Sequence, residues 1–121
     1  MKGSKRRPDQ IAETIRQIVA DAVIHEVRDP RVSGFVTITD VQVTNDLSYA
    51  TIRFSVITEE EAERQSALEG LKSAAGFFRS KVSQALSTRI VPELRFELDR
   101  GREHANRINE ILGAIRQERG D

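Results

Sequence analysis

From Asp9 onward the apolar positions are Ile11, Ile15, Ile18, Val19, Ala22 and Val23, the i, i+4, i+7, i+8 spacing of one stripe on an amphipathic helix. Pro8 precedes the stripe and Asp9 is placed to cap it, since an acidic side chain suits the positive helix end. Asp29-Pro30 stops the helix, because a residue before proline is pushed out of helical geometry, and Ser33-Gly34 completes the turn. The period then changes. Residues 35–44 are rich in β-branched types and read as a strand with Val36 and Ile38, then Val41 and Val43, facing inward. The one-residue slip between these pairs predicts a bulge near Asp40. Asn45-Asp46-Leu47 supplies a turn. A second strand over 48–57 sets Ala50, Ile52, Phe54 and Val56 against Tyr49, Thr51, Arg53 and Ser55, making an antiparallel hairpin.

Thr58, followed three residues later by Glu61, has the form of a capping box, which gives the run Glu59-Glu60-Glu61 a structural explanation. That helix passes through Leu68 and Leu71 toward Ala75. Gly76 interrupts a pattern that resumes with Phe77, Phe78, Val82, Ala85, Leu86 and Ile90. Glycine costs about 1 kcal/mol relative to alanine inside a helix, so a kink is predicted at Gly76. After Pro92, Leu94, Phe96 and Leu98 alternate with Arg95 and Glu97 as a third, short strand. A last helix is predicted from about Glu103, with Ile108, Ile111, Leu112 and Ile115 on one stripe. The order α-β-β-α-kink-α-β-α predicts an α+β fold of two layers, a three-stranded sheet with helices on one face. Tyr49, Thr51, Arg53, Arg95 and Glu97 should lie on the other. The expected organisation is a basic arm over 1–8, one domain over 9–100, and a C-terminal helix and tail over 101–121.

A chain of 121 residues that is 38% hydrophobic suits a single packed domain. No stretch has the length of a membrane-spanning helix, and the basic N-terminus lacks the apolar segment of a secretory signal. The absence of cysteine excludes disulfides and thiolate metal sites, and a cytoplasmic location is expected. His25 and His104 are isolated, and neither a nucleophile elbow nor a Gly-rich phosphate loop occurs. The expectation is therefore a binding protein without catalysis, metal or cofactor.

Nineteen Lys plus Arg balance nineteen Asp plus Glu, so overall charge says nothing of nucleic acid. The distribution says more. Lys2, Lys5, Arg6 and Arg7 stand without an acid in residues 1–8, and acids gather over 59–69. Residues 70–92 then carry Lys72, Arg79, Lys81 and Arg89 and no acidic residue. Charges sorted in this way can present a positive face on a neutral chain.

Three stretches carry a family resemblance. Asp29-Pro30-Arg31-Val32 with Gly34-Phe35-Val36-Thr37-Ile38-Thr39 is the first, and Val43-Thr44-Asn45-Asp46-Leu47-Ser48-Tyr49-Ala50 the second. The third is Ala74-Ala75-Gly76-Phe77-Phe78-Arg79 followed by Arg89-Ile90-Val91-Pro92-Glu93-Leu94-Arg95-Phe96. In order and at this spacing, over about residues 9–100, they resemble the ribosome-binding factor A family. The resemblance implies a type-II KH-like domain, a fold that grips nucleic acid where its two helices join. Ordinary KH domains carry Gly-x-x-Gly there, whereas this chain has the Ala-x-Gly of the family, with less bare backbone to offer phosphates. It further implies a monomeric factor that binds the small (30S) ribosomal subunit, contacts its 16S rRNA, assists late maturation or processing, and matters most in the cold.

Each candidate residue has two readings. Ala74 and Gly76 form a packing kink or an RNA contact. Lys72, Arg79, Lys81 and Arg89 are a solvated helix face or phosphate contacts. Lys5, Arg6 and Arg7 are a solubilising tail or a clamp on RNA. Asp29 is expected to hydrogen-bond turn backbone, while Arg28 and Arg31 reach RNA or pair with Glu26. Phe78 is expected in the core, and Phe77 either packs or stacks on a base. The alternative function is a protein–protein adaptor, dimerising through the outer sheet face or the last helix.

Overall fold

The structure, a computed structural model, describes residues 2–86 and 90–100. The apolar stripe of the first helix is realised in α1, Lys2–His25, where Ile11, Ile15, Val19, Ala22 and Val23 are all buried. The helix begins at Lys2 and carries Pro8 inside it, so Asp9 does not cap it. Proline forfeits a single hydrogen bond, to the carbonyl of Ser4, and the turns around it carry the helix through. At the other end Glu26 and Val27 both donate to the Ala22 carbonyl, at 2.8 and 2.9 Å. The Asp29 carbonyl then accepts from Val32 and Ser33, both at 2.9 Å, and Gly34 takes a φ of +81° that suits glycine alone.

β1 (Val36–Val43) and β2 (Tyr49–Val56) pair antiparallel, and the register shifts between Ile38 and Asp40, where the sequence placed its bulge. The extra residue, Thr39, donates its hydroxyl to Asp99 at 2.8 Å. In the hairpin turn Asp46 accepts from the Thr44 hydroxyl at 2.8 Å and from the Ser48 N–H at 3.0 Å. Leu47 sits at φ +63° yet is only 8% exposed. A left-handed backbone costs a non-glycine residue about 1–2 kcal/mol, and burying leucine returns about 1.5–3 kcal/mol. Burial wins. β3 (Glu93–Leu98) joins β2 in parallel, from Tyr49 opposite Glu93 to Phe54 opposite Leu98, giving the sheet order β1-β2-β3.

The helices α2 (Glu61–Ser73) and α3 (Ala75–Ala85) cross from β2 to β3 over the buried face of the sheet. This is the expected two-layer α+β fold. Two expectations about this helix pair are corrected. The cap of α2 is Glu60, with no side-chain bond, while the Thr58 hydroxyl accepts from the Glu60 N–H at 3.1 Å one step earlier. The break between helices lies at Ala74 (φ −90°, ψ 3°), and Gly76 is an ordinary helical residue of α3. Helical hydrogen bonds persist through the break, with Ala74 donating to Gly70 and Leu71 and accepting from Phe78. Packing sets the bend: Leu71 before it and Phe78 and Val82 after it are all fully buried on one sheet.

The glycine that packing does require is Gly70. A Cβ there would lie 2.7 Å from Val32 Cγ2 and 3.2 Å from Arg31 Cβ, because α2 rests on the Asp29–Val32 turn. Helix propensity favours alanine by about 1 kcal/mol, but overpacking costs about 1–3 kcal/mol. Gly70→Ala is therefore expected to lower stability by about 1 kcal/mol, read as a lower urea midpoint. The expected helix beyond Glu103, with Ile108, Ile111, Leu112 and Ile115, lies outside the described residues.

Candidate nucleic-acid interface

The end of α2, the break at Ala74 and the start of α3 stand over the beginning of β3. Lys72, Ala75, Leu94, Arg95 and Phe96 line an open groove of about 360 Å³ between them. β3 is the edge of the sheet among the described residues. Glu93 and Asp99 donate their N–H groups to Ser48 and Phe54 of the β2 side, at 2.9 and 2.7 Å. By the alternation of a parallel ladder, the N–H groups of Leu94 and Phe96 then face the open edge. The groove therefore joins an apolar floor, backbone donors left unpaired among the described residues, and positive charge.

Two cations, Lys72 and Arg95, are in its lining, and Arg79 follows on α3. Lys72 and Arg79 are exposed and have no ion pair or hydrogen bond among the described residues. Arg79 lies one turn after Ala75 on the same face of α3. Arg95 is in the lining at β3, and its guanidinium lies over the outer sheet face, 3.6 Å from the centroid of the Tyr49 ring, with its Nε 3.1 Å from Glu93. A stacked guanidinium is held flat and keeps further N–H donors for a ligand. Gly76, beside them, is exposed, and a Cβ there would meet nothing within 4 Å. The fold itself does not need that glycine.

The other candidates separate from this group. Lys81 is committed elsewhere: its Nζ lies 2.7 Å from Glu26 and 5.4 Å from the Phe77 ring centroid, tying α3 to the end of α1. Phe77 is 43% exposed, while Phe78 is fully buried with its ring 5.6 Å from that of Phe96. Glu26 thus pairs with Lys81 rather than with Arg28 or Arg31. Arg31 forks onto Asp29, Nε to Oδ1 at 3.0 Å and Nη2 to Oδ2 at 2.6 Å, and its own N–H adds a bond at 2.9 Å. The Arg31 side chain, and secondarily its backbone N–H, hold the Asp29 carboxyl down to about 2. Arg28 and Arg7 are exposed. Lys5 and Arg6 contribute backbone to α1, and Arg89 lies outside the described residues.

Sequence reasoning missed Arg95 as part of the groove. Alternation places its side chain on the outer face, as the structure has it, and parallel pairing with β2 brings that stretch of β3 to the helix break. Among the described residues no group of three or more His, Asp or Glu is placed to hold a metal, and no helix is long and apolar enough to cross a membrane.

A family model described as ribosome-binding factor A matches residues 7–112. The chain belongs to the ribosome-binding factor A family. Ribosome-binding factor A of Rhodopirellula baltica is 45% identical over 96% of this chain and 83% of its own length. The factor of Caldanaerobacter subterraneus subsp. tengcongensis is 36% identical over 100% of this chain and 98% of its own. The solution structure of a Thermotoga maritima protein assigned to the same family superposes with a TM-score of 0.67 at 32% identity, covering 75% of this chain and 85% of that one. A Thermus thermophilus ribosome-binding factor A, fitted into a cryo-EM map of its 30S complex, superposes at 0.58 with 24% identity, over 74% of this chain and 91% of that one. The latter likeness is one of fold.

Proposed function

We propose that this chain binds the small ribosomal subunit and that the groove at the helix break holds a strand of its 16S rRNA. Support for the subunit comes from the family, whose Thermus thermophilus member was fitted into a map of a 30S complex. Support for RNA comes chiefly from one observation: Lys72 in the groove lining and Arg79 one turn beyond Ala75 have no side-chain partner among the described residues, and the exposed Gly76 between them has no packing reason to be glycine. Phosphates approach Gly76 and the exposed cations, and bases lie toward Leu94, Phe96 and the open edge of β3. The factor acts by occupying and shaping RNA during late maturation or processing of 16S rRNA, most in the cold, as a cytoplasmic monomer that breaks no bond.

Alanine at Gly76 separates folding from binding. In an exposed helical site with open space, Gly76→Ala is expected to raise stability by up to about 1 kcal/mol. The same methyl would hold a phosphate off the backbone, so affinity for free small subunits should fall. Calorimetric melting together with co-sedimentation reads both effects. A variant that melts higher and binds unchanged would remove Gly76 from the interface.

A further inference from the structure

A second groove lies at the other end of α2, and its chemistry is the reverse of the first. Pro30, Arg31, Phe35, Val56, Glu63 and Ser66 line an open space of about 290 Å³ between the Asp29–Val32 turn, the end of β2 and the first turns of α2. Its floor is apolar. Phe35 is 42% exposed, and the neighbouring Ile57, whose N–H donates to the Phe35 carbonyl at 3.0 Å, is 77% exposed. Ile57 follows the last residue of β2 in the outward phase, so an apolar side chain stands where the strand pattern calls for a polar one. An exposed apolar cluster inside a polar rim marks an interaction surface.

The rim is acidic. Glu63 lines the groove and has no partner among the described residues, and the exposed Glu59 and Glu60 precede it. Glu69 lies close enough to Arg31 to help raise that guanidinium's pKa, after its hydrogen bond to Asp29. Arg31 is the cation of the groove, and the fork onto Asp29 already neutralises it. Phosphates would be repelled here, whereas a cationic peptide would be attracted.

We propose that this groove docks a basic protein segment of the small subunit, one that seats a bulky apolar side chain against Phe35 and Ile57 and sets Lys or Arg beside Glu63. The inference rests on the proposed association with the small subunit and adds a protein contact to the RNA contact. Glu63 and Lys72 are nine residues apart on α2, about 13 Å at 1.5 Å per residue. One rigid helix thus presents an acidic, apolar end to protein and a basic end to RNA.

Ile57→Ser and Glu63→Lys, each in the full chain, are measured against purified small subunits and against 16S rRNA stripped of protein. Both side chains are exposed, so melting temperatures should match the wild type. Each variant is expected to bind subunits at least about fivefold more weakly, as for loss of an anchor or rim charge, with unchanged affinity for stripped rRNA. Tighter binding of Glu63→Lys to both targets would mean that RNA faces the groove and would overturn the proposal, as would unchanged binding to subunits. A photo-crosslinking residue in place of Ile57 gives an independent reading on the same subunits. Attachment to a Lys- or Arg-rich peptide of a subunit protein supports docking, while attachment to rRNA or to residues 101–121 of the same chain overturns it. Failure of the wild-type chain to bind subunits would instead overturn the reading of function beneath it.

Discussion

Reversing both cations proposed to hold RNA, Lys72→Glu with Arg79→Glu, should lower affinity for free small subunits by about 100-fold or more. A hydrogen bond to a charged group contributes about 1.5–3 kcal/mol, and two lost together amount to at least that factor. Repulsion between the new carboxylates and phosphate adds to the loss. The salt dependence should change in parallel, the slope of log affinity against log salt becoming shallower by about 1.5 for two phosphate contacts. Neither side chain has a partner among the described residues, so the fold should be untouched and the melting temperature unchanged. Sedimentation with free subunits at several salt concentrations measures both quantities. Undiminished binding would place the RNA elsewhere on the molecule. Lys81 is unsuitable for the same experiment, because a glutamate there would face Glu26 across a gap that now holds a 2.7 Å ion pair.

Phe78→Ala should have the largest effect on stability. Phe78 is fully buried beneath the helix break and its ring meets Phe96 of β3 at 5.6 Å between centroids. Truncating a buried phenylalanine costs about 3–5 kcal/mol, against a total of about 5–15 kcal/mol for a domain. At about 4 °C per kcal/mol for a domain of this size, the melting temperature should drop by about 12 °C or more. Phe77→Ala, next to it but half-exposed, should change stability far less. Scanning calorimetry of the two variants distinguishes a core residue from a surface one. A similar loss in both would mean that the break is held together differently.

What the sequence made legible was periodicity. The stripe of α1, the inward faces of β1 and β2, the alternation of β3 and the bulge before Asp40 are all read from spacing, since each expresses a local geometry repeated along the chain. The local stops and starts were less legible. Gly76 carries the propensity signal for a kink, but the bend falls on Ala74 because Leu71 and Phe78 must both reach the sheet. Thr58 and Glu61 have the spacing of a capping box, yet Glu61 turns to Arg100 at 2.9 Å, a partner distant in sequence. The same limit applies to the candidate site. Lys72, Ala74, Gly76 and Arg79 are neighbours along one helix pair and were found together. Arg95 and the pairing of Lys81 with Glu26 depend on tertiary contacts that no local pattern encodes.

The parallel pairing of β2 with β3 bears on the order in which the molecule can be completed. β1 and β2 meet through a short hairpin, a local event, whereas Arg53 and Glu97 of the β2–β3 pair stand 44 residues apart. Closing so long a connection is the slow kind of step in folding, and on a growing chain it waits until residue 98 has emerged. Until then Ile52 and Phe54 lack their partners Phe96 and Leu98 on the sheet. That strand, β3, is also one wall of the groove at the helix break. A partly made chain therefore has the cations of α2 and α3 without the strand beside them, and the competence proposed for this groove comes only with the finished sheet.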